Sequence, residues 1–250
     1  MKKILMLMIV AVLMLGVSGQ AMAAFTDGDL VRVVFSTNGV NEVATDLGSV
    51  AAITVPDSNT IIWNANNFNL ASLGGTADAS NSYAVYFSIG TTASMGKNQV
   101  WASGPAGGQI VTKNAFSLFN TNSHSVMGNY QVAGGGASQV TMAMSDANSF
   151  WTRLASGGAG VGQLGTLISA NNAAVSLASL GSIGYADQIL YYYGTLGGLG
   201  NVAGVNVSDL KTYADGHSAL NGPTTPIPAA VYLFGSGLMG LVGLRRKMAA

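Results

Sequence analysis

Any chemistry this chain performs must come from ten carboxylates, two histidines and its hydroxyl and aromatic side chains, because its 250 residues contain no cysteine. Disulfides, thiolate zinc sites, iron–sulfur clusters and cysteine nucleophiles are thereby excluded together. His124 and His217 lie far apart in the sequence and supply transition-metal or triad chemistry poorly. His217 follows a turn and His124 sits in the polar stretch 120–125, and neither is expected to have a neighbouring acid that would orient it as a base. Asp27-Gly28-Asp29 could bring two carboxylates to a hard cation, but no twelve-residue loop accompanies them, so a solvated turn is expected and no metal site. The late carboxylates Asp187, Asp209 and Asp215 are the ones from which a glycoside-hydrolase pair would have to be built.

Two glycine patterns imitate nucleotide sites. Gly160-x-Gly162-x-x-Gly165, with Asp187 downstream, has dinucleotide spacing. A predicted helix precedes these glycines where the fingerprint needs a buried strand, and Gly, Ser and Asn surround them, so the match is read as an accident of composition. Gly96-Lys97 resembles the end of a phosphate loop, but Asn98 stands where a magnesium-binding hydroxyl belongs. No cofactor is therefore expected. Trp63, Trp101, Trp151 and Tyr191-Tyr192-Tyr193 offer flat surfaces on which sugar rings could stack. Alternating residues of a strand point to opposite faces, so the tyrosine run cannot all be core, and Tyr192 or its neighbours are candidates for exposure.

The elements that would position these groups are mostly strands. Tyr83, Val85, Phe87 and Ile89 alternate with polar or small residues, as do Val140, Met142 and Met144. Residues 30–35, 60–63, 99–102 and 188–193 are further strand candidates, and Asp215-Gly216 predicts a hairpin between 211–214 and 217–220. Helical spacing predicts a helix over 146–155, with Ala147, Phe150, Trp151 and Leu154 on one face and Ser145 or Asp146 as cap. Short helices are expected at 114–119 and 173–180, and Gly/Ala/Ser-rich connections at 134–138, 157–165 and 194–204. No repeat of fixed period emerges. These features predict a mainly β, antiparallel, sandwich-like domain with a few short helices, with α+β as the alternative class.

The ends have a different character. Lys2-Lys3, an apolar run 4–15 and Ala21-x-Ala23 form a secretory signal peptide over residues 1–23, for cleavage by signal peptidase before Ala24. At the other end, Pro226-Ile227-Pro228 leads into the uncharged stretch 229–244 and then Arg245-Arg246-Lys247. At about 1.5 Å per residue that stretch reaches roughly 24 Å as a helix, short for a bilayer but spannable with local thinning. The cation cluster would then stay cytoplasmic as a stop. Ser236, Gly240 and Gly243 share one helical face, a smooth stripe where another membrane helix could approach. A domain at 24–220, a linker at 221–225 and a tail at 226–250 complete the organisation.

The proline-flanked tripeptide, the short glycine-containing apolar helix and the basic end, on a chain with a signal peptide, resemble the PEP-CTERM sorting signal of Gram-negative bacteria. Pro226 and Pro228 match the motif's two prolines, and Ile227 stands where the named motif has Glu, as in non-Glu variants. The resemblance implies processing by an exosortase, a membrane-embedded transpeptidase-like enzyme, in organisms that make exopolysaccharide or biofilm matrix. It also implies export across the inner membrane, transient anchoring, and then residence at the cell surface or in the matrix. Residues 25–30 and Tyr213-Ala214-Asp215-Gly216 look like uncharacterised members of the same group, and carry no activity with them.

Charge sharpens the expected function. Residues 24–225 keep all ten acids but, of the cations, only Arg32, Lys97, Lys113, Arg153 and Lys211, for a net charge of −5. No basic stripe exists to neutralise phosphates, and nucleic acid is excluded as a partner. The expected function is a non-enzymatic surface or extracellular-matrix protein. A polysaccharide-binding module is the main alternative, and a secreted glycan hydrolase the more distant one.

Overall fold

The computed structural model describes residues 25–64, 66–90, 99–104, 110–111, 113–155, 174–194 and 202–222. The expected signal-peptide residues Ala21 and Ala23, the glycine patterns at 160–165 and 96–97, the expected sorting motif 226–228, the apolar stretch 229–244 with its expected small-residue face, and the basic end 245–247 all lie outside them. Among the described residues no helix is long and apolar enough to cross a membrane.

The chain folds as a mainly β protein, and every strand pair among the described residues is antiparallel. Its strands are β1 (Asp29–Ser36), β2 (Asn41–Ser49), β3 (Ile61–Trp63), β4 (Ser82–Gly90), β5 (Gln99–Gly104), β6 (Ile110–Val111), β7 (Gln139–Ala143), β8 (Val175–Ser176), β9 (Tyr185–Tyr193), β10 (Val202–Ala203), β11 (Val205–Tyr213) and β12 (Ser218–Leu220). Nine of them form one continuous path in the order β3-β12-β11-β9-β5-β4-β1-β2-β7, β8 adds to β4, and β6 pairs with β10. The strands expected near 30–35, 60–63, 83–89, 99–102, 139–144 and 188–193 are all present. So is the hairpin at Asp215-Gly216, where the Tyr213 amide donates to the His217 carbonyl at 2.9 Å.

The sandwich expectation is corrected in its geometry. In place of two stacked sheets, ten of the described strands make one sheet that curls until one of its faces closes on itself, with β6 and β10 paired apart from it. Tyr86 on β4 shows the curl: its hydroxyl lies 2.6 Å from Thr212 Oγ1 on β11 and 2.7 Å from Ser218 Oγ on β12. Strands β4 and β11 are separated by β5 and β9, about 14 Å across a flat sheet. The two edges also meet. Asn66, just after edge strand β3, donates from Nδ2 to Ser138 Oγ beside edge strand β7, and its carbonyl accepts from Gln139 Nε2 at 2.8 Å.

The period-two pattern then fills two cores. Leu30, Val34, Ala84, Tyr86, Leu190, Leu210 and Leu220 fill the enclosed face. The alternate residues Val31, Val33, Phe35, Val85, Phe87 and Ile89 form the second core on the other face. Helix α1 (Lys113–Gly134) covers that second core with Phe119, Val126, Met127 and Tyr130, a spacing that keeps one helical stripe on the sheet. Only a short helix at 114–119 was expected there. The Asn, Ser and Gly residues that follow are poor helix formers, and the apolar stripe is narrow enough to pass for a polar loop.

Two other expected helices are corrected as well. Over 146–155 there is a turn followed by a π-type turn at Trp151–Ala155, in which Phe150 and Leu154 are buried as expected while Ala147 is exposed. Residues 173–180 give the short strand β8 and a 3-10 turn at Leu177–Ser179, leading into α2 (Leu180–Ile183).

Candidate functional site

At one end of the second core the structure holds an open groove of about 430 Å³, lined by Thr37, Gly39, Val40, Met144, Ser145, Trp151 and Thr152. Three segments distant in sequence build it: the β1–β2 turn, the chain leaving β7, and the π-type turn that follows. The β1–β2 turn holds its shape through the Gly39 amide, which donates to the Ser36 carbonyl at 3.1 Å. It is joined to the β7 exit by the Met144 amide, which donates to the Val40 carbonyl at 2.9 Å. Val40 is 58% exposed, so one wall of the groove is apolar and open.

Trp151 also lines the groove. It is half-buried, and its ring sits 5.6 Å from Phe35, which in turn contacts Phe150 at 5.6 Å and stacks on Tyr83 at 5.7 Å. The aromatic cluster fixes the indole from behind. Glu42 fixes its backbone: Oε1 accepts from the Phe150 amide at 2.7 Å and from the Tyr130 hydroxyl at 2.6 Å, and Oε2 accepts from the Trp151 amide at 2.8 Å. Glu42 is fully buried, and burial pushes its carboxyl up to about 7, against those three hydrogen bonds, which favour the charged form. Tyr130 is raised well above the ordinary phenol value by its own burial and by the Glu42 charge. The free amides that open a helical turn are thus already satisfied by the protein itself.

No charged side chain lines the groove. The adjacent cation, Arg153, is turned onto Asn148, with Nε and Nη2 at 3.1 and 2.6 Å from Oδ1. The Thr152 hydroxyl donates to the Met144 carbonyl at 2.9 Å, and the Thr37 hydroxyl to the Asn81 carbonyl at 3.4 Å. With its proton committed, the Thr152 oxygen is left with lone pairs to accept, and Thr37 and Ser145 add further hydroxyls to the lining. What the arrangement can do is present a flat ring, an apolar wall and hydroxyl acceptors to an uncharged ligand.

Of the other aromatic candidates, Trp101, Tyr191 and Tyr193 are buried, and Trp63 is half-buried against the enclosed core on edge strand β3. Tyr192 alternates to the face opposite Tyr191 and Tyr193, as the strand period requires, and packs 4.8 Å from Trp101. Trp151 alone of the three tryptophans lines the groove.

The titratable candidates fall elsewhere. His217 does have an orienting acid, contrary to expectation. Its Nδ1 contacts Asp215 Oδ1, and its ring stacks 4.1 Å over Tyr213. His124 lies 3.9 Å from Asp27 on the exposed side of α1, so it too has an acid nearby. Of the three late carboxylates, Asp187 bonds Lys211 at 2.9 Å, Asp215 holds His217, and Asp209 shares with Lys211 one face of β11, opposite Ile189 of β9. Asp187 and Asp215 both lie close enough to Tyr213 to help raise its pKa, after burial and Tyr185, but each already has a basic partner. The turn Asp27-Gly28-Asp29 is not solvated as expected. Asp29 is buried, takes the Thr26 amide and hydroxyl at 2.7 and 2.6 Å, and faces Asp46, whose pKa is raised by burial and by Asp29. No group of three acidic or histidine side chains among the described residues could hold a metal ion.

Sequence reasoning had singled out Trp151 but not Glu42, Tyr130 or the hydroxyls around the groove. One signal was available: Glu42 is the only glutamate in the chain, placed in a segment rich in β-branched and small residues. Comparison with protein-family models, with curated proteins and with solved structures finds no match to this chain, so the site stands on its geometry.

Proposed function

We propose that this is an exported, non-enzymatic cell-surface or extracellular-matrix protein of a Gram-negative bacterium, delivered and processed through its two ends. In this reading signal peptidase cuts after Ala23, and residues 229–244 form a transient membrane helix held by Arg245, Arg246 and Lys247. An exosortase-like enzyme then recognises Pro226-Ile227-Pro228. What supports it is the sequence of the two ends: Lys2-Lys3, an apolar run and Ala21-x-Ala23 at one, and Pro226-Ile227-Pro228, an uncharged stretch and Arg245-Arg246-Lys247 at the other. The described fold is compatible with both cuts. Phe25 is buried, its ring 5.5 Å from Tyr130, and its amide donates to Asp46 Oδ2 at 2.8 Å. Phe25, the second residue of the expected mature chain, is therefore held in the core. At the other end Asn221 donates to the carbonyls of Asp57 and Asn59 at 2.9 and 3.1 Å, and its amide to Asp209 at 2.7 Å. The linker thus starts from a pinned residue, and a cut downstream would leave the sheet intact.

Replacing Arg245, Arg246 and Lys247 with Ser tests the tail. Membrane retention in fractionated cells is expected to fall and unprocessed protein to escape the membrane fraction. Unchanged retention together with an unchanged product mass would exclude the stop role.

A glycan-binding role is the second reading, favoured by the Trp151 groove and by hydroxyls rather than charges around it. The hydrolase reading is weaker, because Asp187 and Asp215 are each occupied by a cation or histidine.

A further inference from the structure

We propose that the groove between Val40 and Trp151 is a subsite for a single neutral sugar ring of a polysaccharide chain, stacked on the indole and hydrogen-bonded by its rim hydroxyls. This rests on the glycan-binding reading above and assigns it a place. The argument starts from shape. A volume of about 430 Å³ lies toward the small end of ligand sites, room for roughly one or two sugar rings, and the groove is open so that a longer chain can run out of it. A pyranose has one predominantly C–H face and a rim of hydroxyls. The indole supplies a broad flat partner for the first, with less side-chain entropy left to lose because Phe35 already packs against it.

The polar groups select the charge class. Thr152 spends its proton on the Met144 carbonyl and so acts toward a ligand as an acceptor, while Thr37 and Ser145 add uncharged hydroxyls that can both donate and accept. Acceptors suit hydroxyl donors and repel carboxylate or sulfate oxygens. The domain's net charge of −5 and the engagement of Arg153 with Asn148 act in the same direction. A neutral hexose chain fits where a uronic or sulfated one does not. The backbone amides at the start of the π-type turn, which would otherwise attract an anion, are filled by Glu42.

The test uses the mature protein purified from culture, titrated with neutral glucose, galactose and mannose tetrasaccharides and the neutral polysaccharide fraction of the producing cells, with tetragalacturonate as charged control. Binding is read by tryptophan fluorescence and by calorimetry. At least one neutral ligand is expected to bind at least about tenfold more tightly than the uronate. Trp151→Ala is expected to lower that affinity about tenfold or more, and Trp151→Phe, which keeps a flat ring, about threefold. Ser145→Leu alters an exposed position and guards against a folding artefact: it should leave the urea midpoint in place and weaken binding severalfold. Trp63→Ala should leave binding unchanged.

Absence of binding to every neutral ligand overturns the subsite, as does wild-type affinity in Trp151→Ala. If neutral sugar binds and Trp63→Ala abolishes it, the subsite is wrong and the glycan-binding reading stands. If nothing binds while deletion of the protein still weakens the matrix, the subsite and the glycan-binding reading fail together, and the surface-protein reading survives.

Discussion

Replacement of Arg32 by Ala is expected to destabilise the folded domain by about 4 kcal/mol in urea unfolding of the purified protein, one of the largest losses any single side chain here should produce. Arg32 lies on β1 with its side chain in the enclosed face, 1% exposed, and no ion pair reaches it among the described residues. Its charge is held by dipoles. Nη1 donates to the Gly216 carbonyl and Ser218 Oγ at 2.8 and 2.7 Å, and Nη2 to Thr45 Oγ1 and the Asn66 carbonyl at 3.1 and 2.9 Å. Its guanidinium carbon stands 5.0 Å from the Phe68 ring centroid. Burial lowers its pKa from the ordinary value, opposed by Tyr86.

These acceptors come from β2, β12, the β11–β12 turn and the segment after β3, so one fork closes the curl of the sheet. Gly216 belongs to the same junction. Its φ is +90°, and a Cβ there would meet the Phe68 carbonyl at 2.3 Å, which leaves the position to glycine. Truncating Arg32 removes four hydrogen bonds at once and empties a buried volume between the two edges, whereas Lys keeps the charge and loses the fork. Arg32→Lys should therefore recover only part of the loss. A midpoint within error of wild type in Arg32→Ala would show that the edges hold together without it.

The second large effect is on pH. Glu42 titrates near 7 when folded against an ordinary 4.5, because burial penalises its charged form. Between those values the folded protein holds a proton that the unfolded chain releases, so stability falls as pH rises. The contribution is complete below 4.5 and gone above 7, a change of about 3 kcal/mol. Asp46, also raised, adds in the same direction. Asp57 is lowered, its burial outweighed by the amides of Asn59 and Thr54. Asp78 is lowered by the Ser80 hydroxyl and nearby amides. Both stabilise above their ordinary range and cease to do so as pH falls through it. The urea midpoint should thus peak at about pH 4–5 and decline toward pH 8. Glu42→Gln should flatten the decline between 4.5 and 7. A wild-type midpoint higher at pH 8 than at pH 5 would contradict the assignment.

The strands that were readable in the sequence are those whose alternation separates core from surface or one core from the other, such as Tyr83 to Ile89 and Val140 to Met144. Strand β2 was not readable. Its polar residues Glu42, Thr45 and Asp46 are all buried, each against a partner remote in sequence: Tyr130, Arg32 and Phe25. Local pattern reports burial of apolar groups, and here polar groups are buried because tertiary partners satisfy them. Helix α1 was under-read for a related reason, since its covering stripe is set by the sheet beneath it. Of the groove, Trp151 was legible as a stacking candidate. Its walls were not, because Thr37 to Val40 and Met144 to Thr152 meet only through the pairing of β2 with β7. The acid beside His217 was within reach of a closer reading, being two residues away in the hairpin turn.

The central claim is that both ends are removed from a stable acidic domain. Intact-mass measurement of the protein released by the producing cells tests it directly. A product that begins at Ala24 and lacks Arg245, Arg246 and Lys247, with its new C-terminus at or beyond the Pro226-Ile227-Pro228 motif, is the predicted result. A released species that retains residues 1–23 and the complete basic end would contradict it.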